Sequence, residues 1–500
     1  MSLEDALEDE YFAGLNEPVA IKPNVTTIRA ESMAETKRKT MNQLLEKVNK
    51  VDFIEACESL GWIATTNKEG ADNPPNQNNY KVAIIDQLML TAKYNNWHLA
   101  LDTGLFYIYT GCLWISLDKD ELKNFLKDVA IKQSYPPIKA RDSKFIVQLY
   151  EQAIQDGFFT DKHYTQQSMI NLNNCTLVLN SDGVTVKNFD YRDFLTHQLP
   201  FNYDKKAVNP IFLKYLSEVL PDKDTQRTLQ EVCGYLFIKG LKMEKIFFLY
   251  GTGANGKSVL FEVINGLIGD ENISHYSLES LTDDTGYFRA KIKDKIVNYG
   301  TDIRLSKIDA GMFKTLASGE PIEARLPYGQ PFTMSDYAKL IFNVNRLDNA
   351  NIEHTHGFYR RILIIPFDKT IADKDQDKSL HKKILSNKAG VLNWIIEGAE
   401  SVIANEEIFT STECQKFKAK FIKETDNVAL FIDDASYESC EFSKTRLSSL
   451  YLNYKEFCNE DGYRSLGKSN FSKRLVALGY EKFKADGNKD YFRLKQVYKN

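Results

Sequence analysis

The chain has no CxxC pair, no hydrophobic run of membrane-spanning length, no excess of positive charge, and no internal repeat or low-complexity tract. Each absence excludes something. Seven cysteines, Cys57, Cys112, Cys175, Cys233, Cys414, Cys440 and Cys458, stand singly, which argues against a zinc ribbon or a dithiol redox motif and fits reduced core residues. His354 and His356 lie two apart without a cysteine or carboxylate at ligand spacing, so no metal site is expected there. Without an apolar stretch of about 20 residues no membrane partner is expected, and the acidic start MSLEDALEDE carries the wrong charge for a secretory signal. A soluble, cytoplasmic protein is expected. A formal net charge of −4 leaves any nucleic-acid binding to local basic patches.

Five hundred residues exceed one compact core, so two to four folding domains are expected. Residues 1–30 read as a flexible acidic tail, and 31–90 as a helical segment followed by a linker, NKEGADNPPNQNN at 67–79. Residues 91–205 read as a small α/β domain: two β-rich runs within 97–117 turn at Thr110-Gly111, a helix follows near 118–130, and two short strands flank Asp182-Gly183. Residues 206–245 have helical periodicity and suit a collar or oligomerisation segment. An ATPase core at 246–372, trailing helices at 373–425 and a C-terminal domain at 426–500 complete the expected division.

What the sequence does have is IFFLYGTGANGKS at 246–258, an apolar strand running into Gly251-Thr252-Gly253-Ala254-Asn255-Gly256-Lys257-Ser258. This is the GxxxxGK[ST] phosphate-binding pattern. Its glycines let successive backbone N–H groups curl around phosphate oxygens, Lys257 reaches the β- and γ-phosphates, and the Ser258 hydroxyl ligates Mg²⁺. Val259, Leu260, Val263, Ile264 and Leu267 continue at helical spacing, so a helix N-terminus points its partial positive charge at the phosphates. ATP with Mg²⁺ is the expected ligand. Further strand-like runs at 295–299 and 339–344 imply a parallel sheet flanked by helices, whose carboxyl edge would gather Gly251, Asp302 and Asn345.

Hydrolysis of a triphosphate needs an acid near Mg²⁺ and water, a polar group at the γ-phosphate, and a cation for transition-state charge. Asp302 reads as that acid or base, or as a solvated loop carboxylate. Asn345 reads as the γ-phosphate or water contact, or as a turn-forming residue. Arg360 and Arg361, before the apolar run 362–366, read as candidate fingers reaching a neighbouring subunit's phosphate, or as solvated charge. Toward the end of the chain cations outnumber acids, and helices at 444–458 and 469–478 precede a hairpin turning at Asp486-Gly487-Asn488. Helices followed by a two-stranded wing describe a winged helix. Ser469, Asn470, Lys473 and Arg474 would lie on its DNA-recognition helix, the alternative being a protein-contact module.

In this order, GTGANGKS, KIVNYGTDI, FKTLASGEPIEARLPYGQPFT, KLIFNVNRLD and GFYRRILIIPF resemble the superfamily 3 helicase core of phage and plasmid primase-helicases, the group that includes the poxvirus-type enzymes. Upstream, YIYTGCLWISLDKDELKNFLKD, DFLTHQLPFNYD and LQEVCGYLFI resemble the domain preceding that core, and the similarity extends over residues 95–500. The resemblance implies an α/β fold with an AAA+-like ATPase core. It further implies a ring, hexameric by analogy, that moves 3′ to 5′ on single-stranded DNA and opens forked duplex. It assigns Lys257 and Ser258 to phosphate and Mg²⁺, Asp302 to the second acidic motif, Asn345 to the polar sensor, and Arg360 or Arg361 to the finger. A bacterial host cell, with the gene on a phage or mobile element, follows from the same likeness.

Two departures stand out. Relatives commonly carry Glu where Asp302 stands, one methylene longer. The hairpin between Ile322 and Phe332, basic in relatives, has only Arg325 as a cation, with Tyr328 able to stack on a base or to pack on its own subunit. A primase domain is not expected, since only about ninety weakly patterned residues precede the recognisable part; primers would come from a separate primase or polymerase. The rival reading is an ATP-gated initiator or loader ring with little unwinding activity. A small-molecule kinase has no use for paired arginines and a C-terminal winged helix.

Overall fold

The computed structural model describes residues 33–68, 70, 72–102, 105–156, 167–301, 303, 305–326, 329–345, 356–463 and 465–497. The tail expected at 1–30 lies outside them. They divide into two compact units, one holding residues up to 156 with 173–176 and 187–198, the other holding 167–172, 177–186 and residues from 199 onward.

In the first unit the apolar spacing near the start folds as helices Met33–Glu46 and Phe53–Ser59. The expected linker ends early. Asn76 accepts from the backbone N–H groups of Asn78 and Asn79 at 2.9 and 3.0 Å, and Asn79 returns a bond to the Asn76 N–H at 3.1 Å. This reciprocal cap starts the helix Gln77–Tyr94 inside an Asn-rich stretch. The helix runs through the boundary expected at 90/91 and buries Ala83, Ile84 and Leu88 in one core with Phe125, Val129, Phe145 and Leu149. Strands Leu99–Asp102, Leu105–Tyr109 and Trp114–Leu117 form an antiparallel sheet, turning at Gly111 (φ +97°). Asp118 and Glu121 then cap the helix Lys119–Lys132.

The second unit is built on a parallel sheet of five strands, β1 (Ile246–Tyr250), β2 (Ile273–Ser274), β3 (Val297–Thr301), β4 (Lys339–Val344) and β5 (Ile362–Pro366), in the order β5-β1-β4-β3-β2. Ile246, Phe247, Phe248 and Leu249 are at most 1 % exposed, which is why β1 reads as an unbroken apolar run. Each such side chain contributes about 1.5–3 kcal/mol of burial. Helices α1 (Pro210–Val219) and α2 (Lys223–Tyr235) precede the sheet, α3 (Lys257–Ile268) follows β1, and α4 (Lys388–Asn405) and α5 (Thr412–Thr425) follow β5. The pair α2 and α4 meets through glycines. A Cβ on Gly234 would lie 2.2 Å from the Ala399 nitrogen and one on Gly398 2.2 Å from the Gln230 oxygen, so the backbones touch.

Beyond α5 come α6 (Asn427–Asp434), α7 (Leu447–Glu460) and α8 (Lys468–Ala477), then a hairpin of Lys482–Ala485 and Lys489–Phe492 joined at its edge by Thr445–Arg446. Asp486, Gly487 and Asn488 turn it with φ of +44°, +79° and +65°, values that suit these residue types. Phe431, Leu450, Tyr454, Phe471 and Phe492 form the core here. Cys57, Cys175, Cys233, Cys414 and Cys458 are buried free thiols, with Cys112 and Cys440 partly exposed. No described helix is long and apolar enough to cross a membrane.

Candidate functional site

The Gly-rich loop leaves the carboxyl end of β1 and enters α3. Gly253, Ala254 and Gly256 take left-handed or related backbone conformations, at φ +120°, +49° and +82°. Gly256 is the N-cap of α3 and offers no side-chain cap, leaving the first N–H groups of that helix to the loop's concave side. The loop is fastened from three directions. Gly251 N–H donates to Val344 O at the end of β4 (3.0 Å), Ile371 N–H donates to Ala254 O (2.7 Å), and Asn255 Nδ2 donates to Phe367 O (2.9 Å). A Cβ on Gly251 would lie 1.9 Å from Asn255 Nδ2 and 2.7 Å from Phe367 O, so only glycine fits.

Lys257 is 4 % exposed. Its Nζ donates to Gly251 O and, at 2.9 Å, to Asn255 Oδ1. Both acceptors belong to the loop that would wrap a phosphate, so an arriving anion replaces loop oxygens around the ammonium. Ser258, next along the first turn of α3, is exposed. The donor set of loop N–H groups, one ammonium and one hydroxyl fits a nucleotide polyphosphate with its divalent cation. Among the described residues no cluster of three or more His, Cys, Asp or Glu is placed to hold a metal by itself.

Sequence reading missed the floor of this loop. Tyr215 of α1 donates its hydroxyl to Gly256 O at 2.9 Å, and a Cβ on Gly256 would meet Val219 at 2.6 Å. Burial pushes the Tyr215 and Tyr299 phenols upward and the Cys233 thiol up to about 12, so the floor stays uncharged. The helical spacing of Phe212, Tyr215, Leu216 and Val219 marks this face as buried; nothing in the sequence marks the hydroxyl's partner.

The structure brings some expected residues together and not others. Asn345 is exposed directly after β4, whose last residue Val344 bonds Gly251 and pairs with Tyr250. Asp302 lies outside the described residues; Thr301 before it ends β3 opposite Asn343. Arg360 and Arg361 stand at the other edge of the sheet, since β5 runs parallel to β1 with Ile362 opposite Ile246 and Pro366 opposite Tyr250. Arg361 is engaged within its own chain, donating to Ser318 Oγ at 2.9 and 3.0 Å and to Gly357 O at 2.8 Å. In the single chain those bonds hold its guanidinium. Arg360 keeps 47 % of its side chain exposed.

Arg325 lies on the expected hairpin, Ile322–Arg325 paired with Pro331–Met334, and its Nε donates to Gly329 O at 3.1 Å. Tyr328 is outside the described residues. On α8, Ser469, Asn470 and Lys473 are exposed along one face. Arg474 is not part of that surface. It pairs with Asp426, which is 1 % exposed, through Nε at 2.7 Å and a terminal nitrogen at 2.5 Å. Helical spacing placed it next to Lys473 but turned it inward. Nearby lysines are also partly spent, Lys444 before the edge strand on Asp486, and Lys482 and Lys484 of the hairpin on Asp490, at 2.8–3.1 Å.

Three family models match the chain in succession: "D5 N terminal like" over residues 87–221, DUF5906, a family of unknown function, over 249–361, and "Poxvirus D5 protein-like" over 423–500. A putative helicase, L207/L206 of Acanthamoeba polyphaga mimivirus, is 26 % identical over 180 residues. The chain is thus similar to poxvirus D5-type proteins and to a putative viral helicase. That alignment takes in 34 % of this chain and 18 % of the mimivirus protein, so the chain spans under a fifth of that relative's length. Two apo structures of the NrS-1 C-terminal region overlap 83 % of this chain and 99 % and 98 % of theirs, at 12 % identity and TM-scores of 0.46 and 0.44. Overlaps that loose carry no weight here.

Proposed function

We propose that the chain is a replicative, ATP-driven DNA helicase of the superfamily 3 type, with an AAA+-like P-loop core at 246–372 and a winged helix at 426–500. The observation that carries this reading is the loop itself. An uncapped helix N-terminus, a buried lysine turned onto loop oxygens, and Asn345 beside Gly251 all lie at the carboxyl edge of a parallel sheet, where such folds bind nucleotides. Lys257 and the loop N–H groups would hold the β- and γ-phosphates of ATP, Ser258 and Asp302 its Mg²⁺, and Asn345 would contact the γ-phosphate or the water. Bound Mg²⁺ would neutralise phosphate charge. The tight packing of Tyr215 and Val219 under Gly256 excludes water from beneath the loop.

The position of the arginines supports a ring. A five-residue parallel strand separates the edge bearing Arg360 from the edge bearing the loop, roughly 13 Å at the rise per residue of a strand. A chain folded this way offers Arg360 outward, where a second copy's nucleotide could meet it. Hexameric assembly, 3′ to 5′ movement on single-stranded DNA and contact with a separate primase or polymerase belong to this proposal by family likeness.

The test is ATP hydrolysis with and without single-stranded DNA, together with strand displacement on a fork. DNA should stimulate hydrolysis, Lys257→Ala should reduce it by about a hundredfold or more, and mixing Lys257→Ala with Arg360→Ala subunits should restore part of it. Equal rates with and without DNA, or no restoration at any ratio, would count against the motor. One observation favours the initiator or loader alternative: Lys444, Lys482 and Lys484 are occupied by Asp486 and Asp490. ATP-dependent DNA binding without strand displacement would select it.

A further inference from the structure

Just before β1 the chain passes through Glu244 in the left-handed region, at φ +49°. Non-glycine residues enter that region in only a few per cent of cases. Here the turn presents one carboxylate to two guanidinium groups: Glu244 Oε2 lies 3.0 Å from a terminal nitrogen of Arg360 and 3.7 Å from one of Arg361. Arg361 has Ser318 and Gly357 besides and is 12 % exposed. Arg360 has Glu244 as its side-chain partner among the described residues, and both of these side chains are over 40 % exposed.

Two lysines sit against the same corner. Lys245 donates to the Arg360 carbonyl and Lys418 of α5 to the Ile362 carbonyl at 2.9 Å. Burial, and then the neighbouring arginines, pull Lys245 below its ordinary value; burial, and then Lys245, bring Lys418 down to about 8. Three cations, Arg360, Arg361 and Lys245, thus act on a single carboxylate, and Lys418 in turn acts on Lys245. The corner accepts more negative charge than Glu244 supplies.

Resting on the ring reading above, we propose that Glu244 is a resident stand-in for a phosphate of the nucleoside triphosphate bound to a second copy of this chain. In the lone chain it holds Arg360 back. On assembly Arg360 exchanges this carboxylate for the neighbour's phosphate, while Arg361 stays on Ser318 and keeps the turn in shape. Glu244 is then a positioning residue whose charge opposes assembly, and Arg360, not Arg361, is the group that changes partner.

The experiment follows ATP hydrolysis per chain as a function of protein concentration, with saturating ATP and single-stranded DNA, in the full chain. Glu244→Gln and Glu244→Ala should each lower the concentration giving half-maximal rate by about threefold, the size expected for losing a competing half-exposed ion pair. In an Arg360→Ala background, where hydrolysis is lost and the assembly midpoint is read instead by sedimentation with ATP, both substitutions should have no effect. A midpoint equal to or above that of the wild type for both variants overturns the proposal, as does the same shift persisting without Arg360. If the wild-type rate per chain is independent of concentration, the ring reading falls and the proposal with it. A concentration-dependent wild type with unshifted Glu244 variants leaves the ring standing and removes Glu244 alone.

Discussion

Arg474 and Lys473 are neighbours on α8 with opposite employment, and substituting each in turn separates packing from DNA contact. Arg474→Ala strands the carboxylate of Asp426, which is 1 % exposed. Removing one partner of a buried ion pair costs about 3–5 kcal/mol. The lower end applies, because Asp426 Oδ1 keeps the backbone N–H groups of Val428 and Ala429 at 3.1 and 3.2 Å while Oδ2 loses both donors. About 3 kcal/mol corresponds to roughly a hundredfold rise in local opening. Hydrogen exchange on the full chain should therefore show α6 and α8 amides losing about two decades of protection. Lys473→Ala should leave exchange unaltered, weaken single-stranded DNA binding, and lower the slope of log affinity against log salt by about 0.7. If Arg474→Ala keeps full protection and loses DNA affinity as Lys473→Ala does, the inward assignment of Arg474 is wrong.

Two further outcomes follow from packing and charge. Gly398→Ala should destabilise the second unit by about 1–3 kcal/mol, read as a lowered melting temperature, because its Cβ meets the Gln230 backbone at 2.2 Å and neither helix can yield without moving the other. Lys418 is depressed to about 8 from 10.5, so between those values the unfolded chain binds more protons at this site than the folded one, and stability from this group rises with pH. Denaturant midpoints of wild type and Lys418→Met, compared from pH 7 to 9.5, should shift in favour of the wild type as pH rises; a constant difference would show that Lys418 is not desolvated.

The Gly-rich loop between β1 and α3 was legible because the constraints on it are local. A buried strand must be apolar throughout, a phosphate cradle needs glycines at fixed offsets, and both constraints are written in consecutive residues 246–258. The parallel sheet followed from alternation of strands and helices, and β4 starts and ends where the apolar run 339–344 does. The cap at Asn76 was not legible, because Asn, Pro and Gly around it serve a loop equally well, and what decides is whether Asn79 returns the bond. Tyr215 escaped for a different reason: its periodicity says only that the face is buried, and the acceptor on Gly256 is 41 residues away.

Cations are the residues whose roles sequence resolves least, and the structure redistributes them. Counting from Glu441 onward suggests a basic surface spread over helix and wing alike. An ion pair cancels charge only where a partner lies within a few ångströms, and composition does not record that distance. Asp426 takes Arg474, while Asp486 and Asp490 take Lys444, Lys482 and Lys484. In the proposed DNA-binding role, long-range attraction for phosphate would then come from cations exposed elsewhere, which moves weight from the hairpin to the face of α8 bearing Ser469, Asn470 and Lys473. The same argument divides Arg360 from Arg361: adjacent in sequence and identical in chemistry, one is bound by Ser318 and Gly357 and the other leans on a half-exposed carboxylate. The weaker attachment of Arg360 is why the proposal above makes it, rather than Arg361, the group that changes partner.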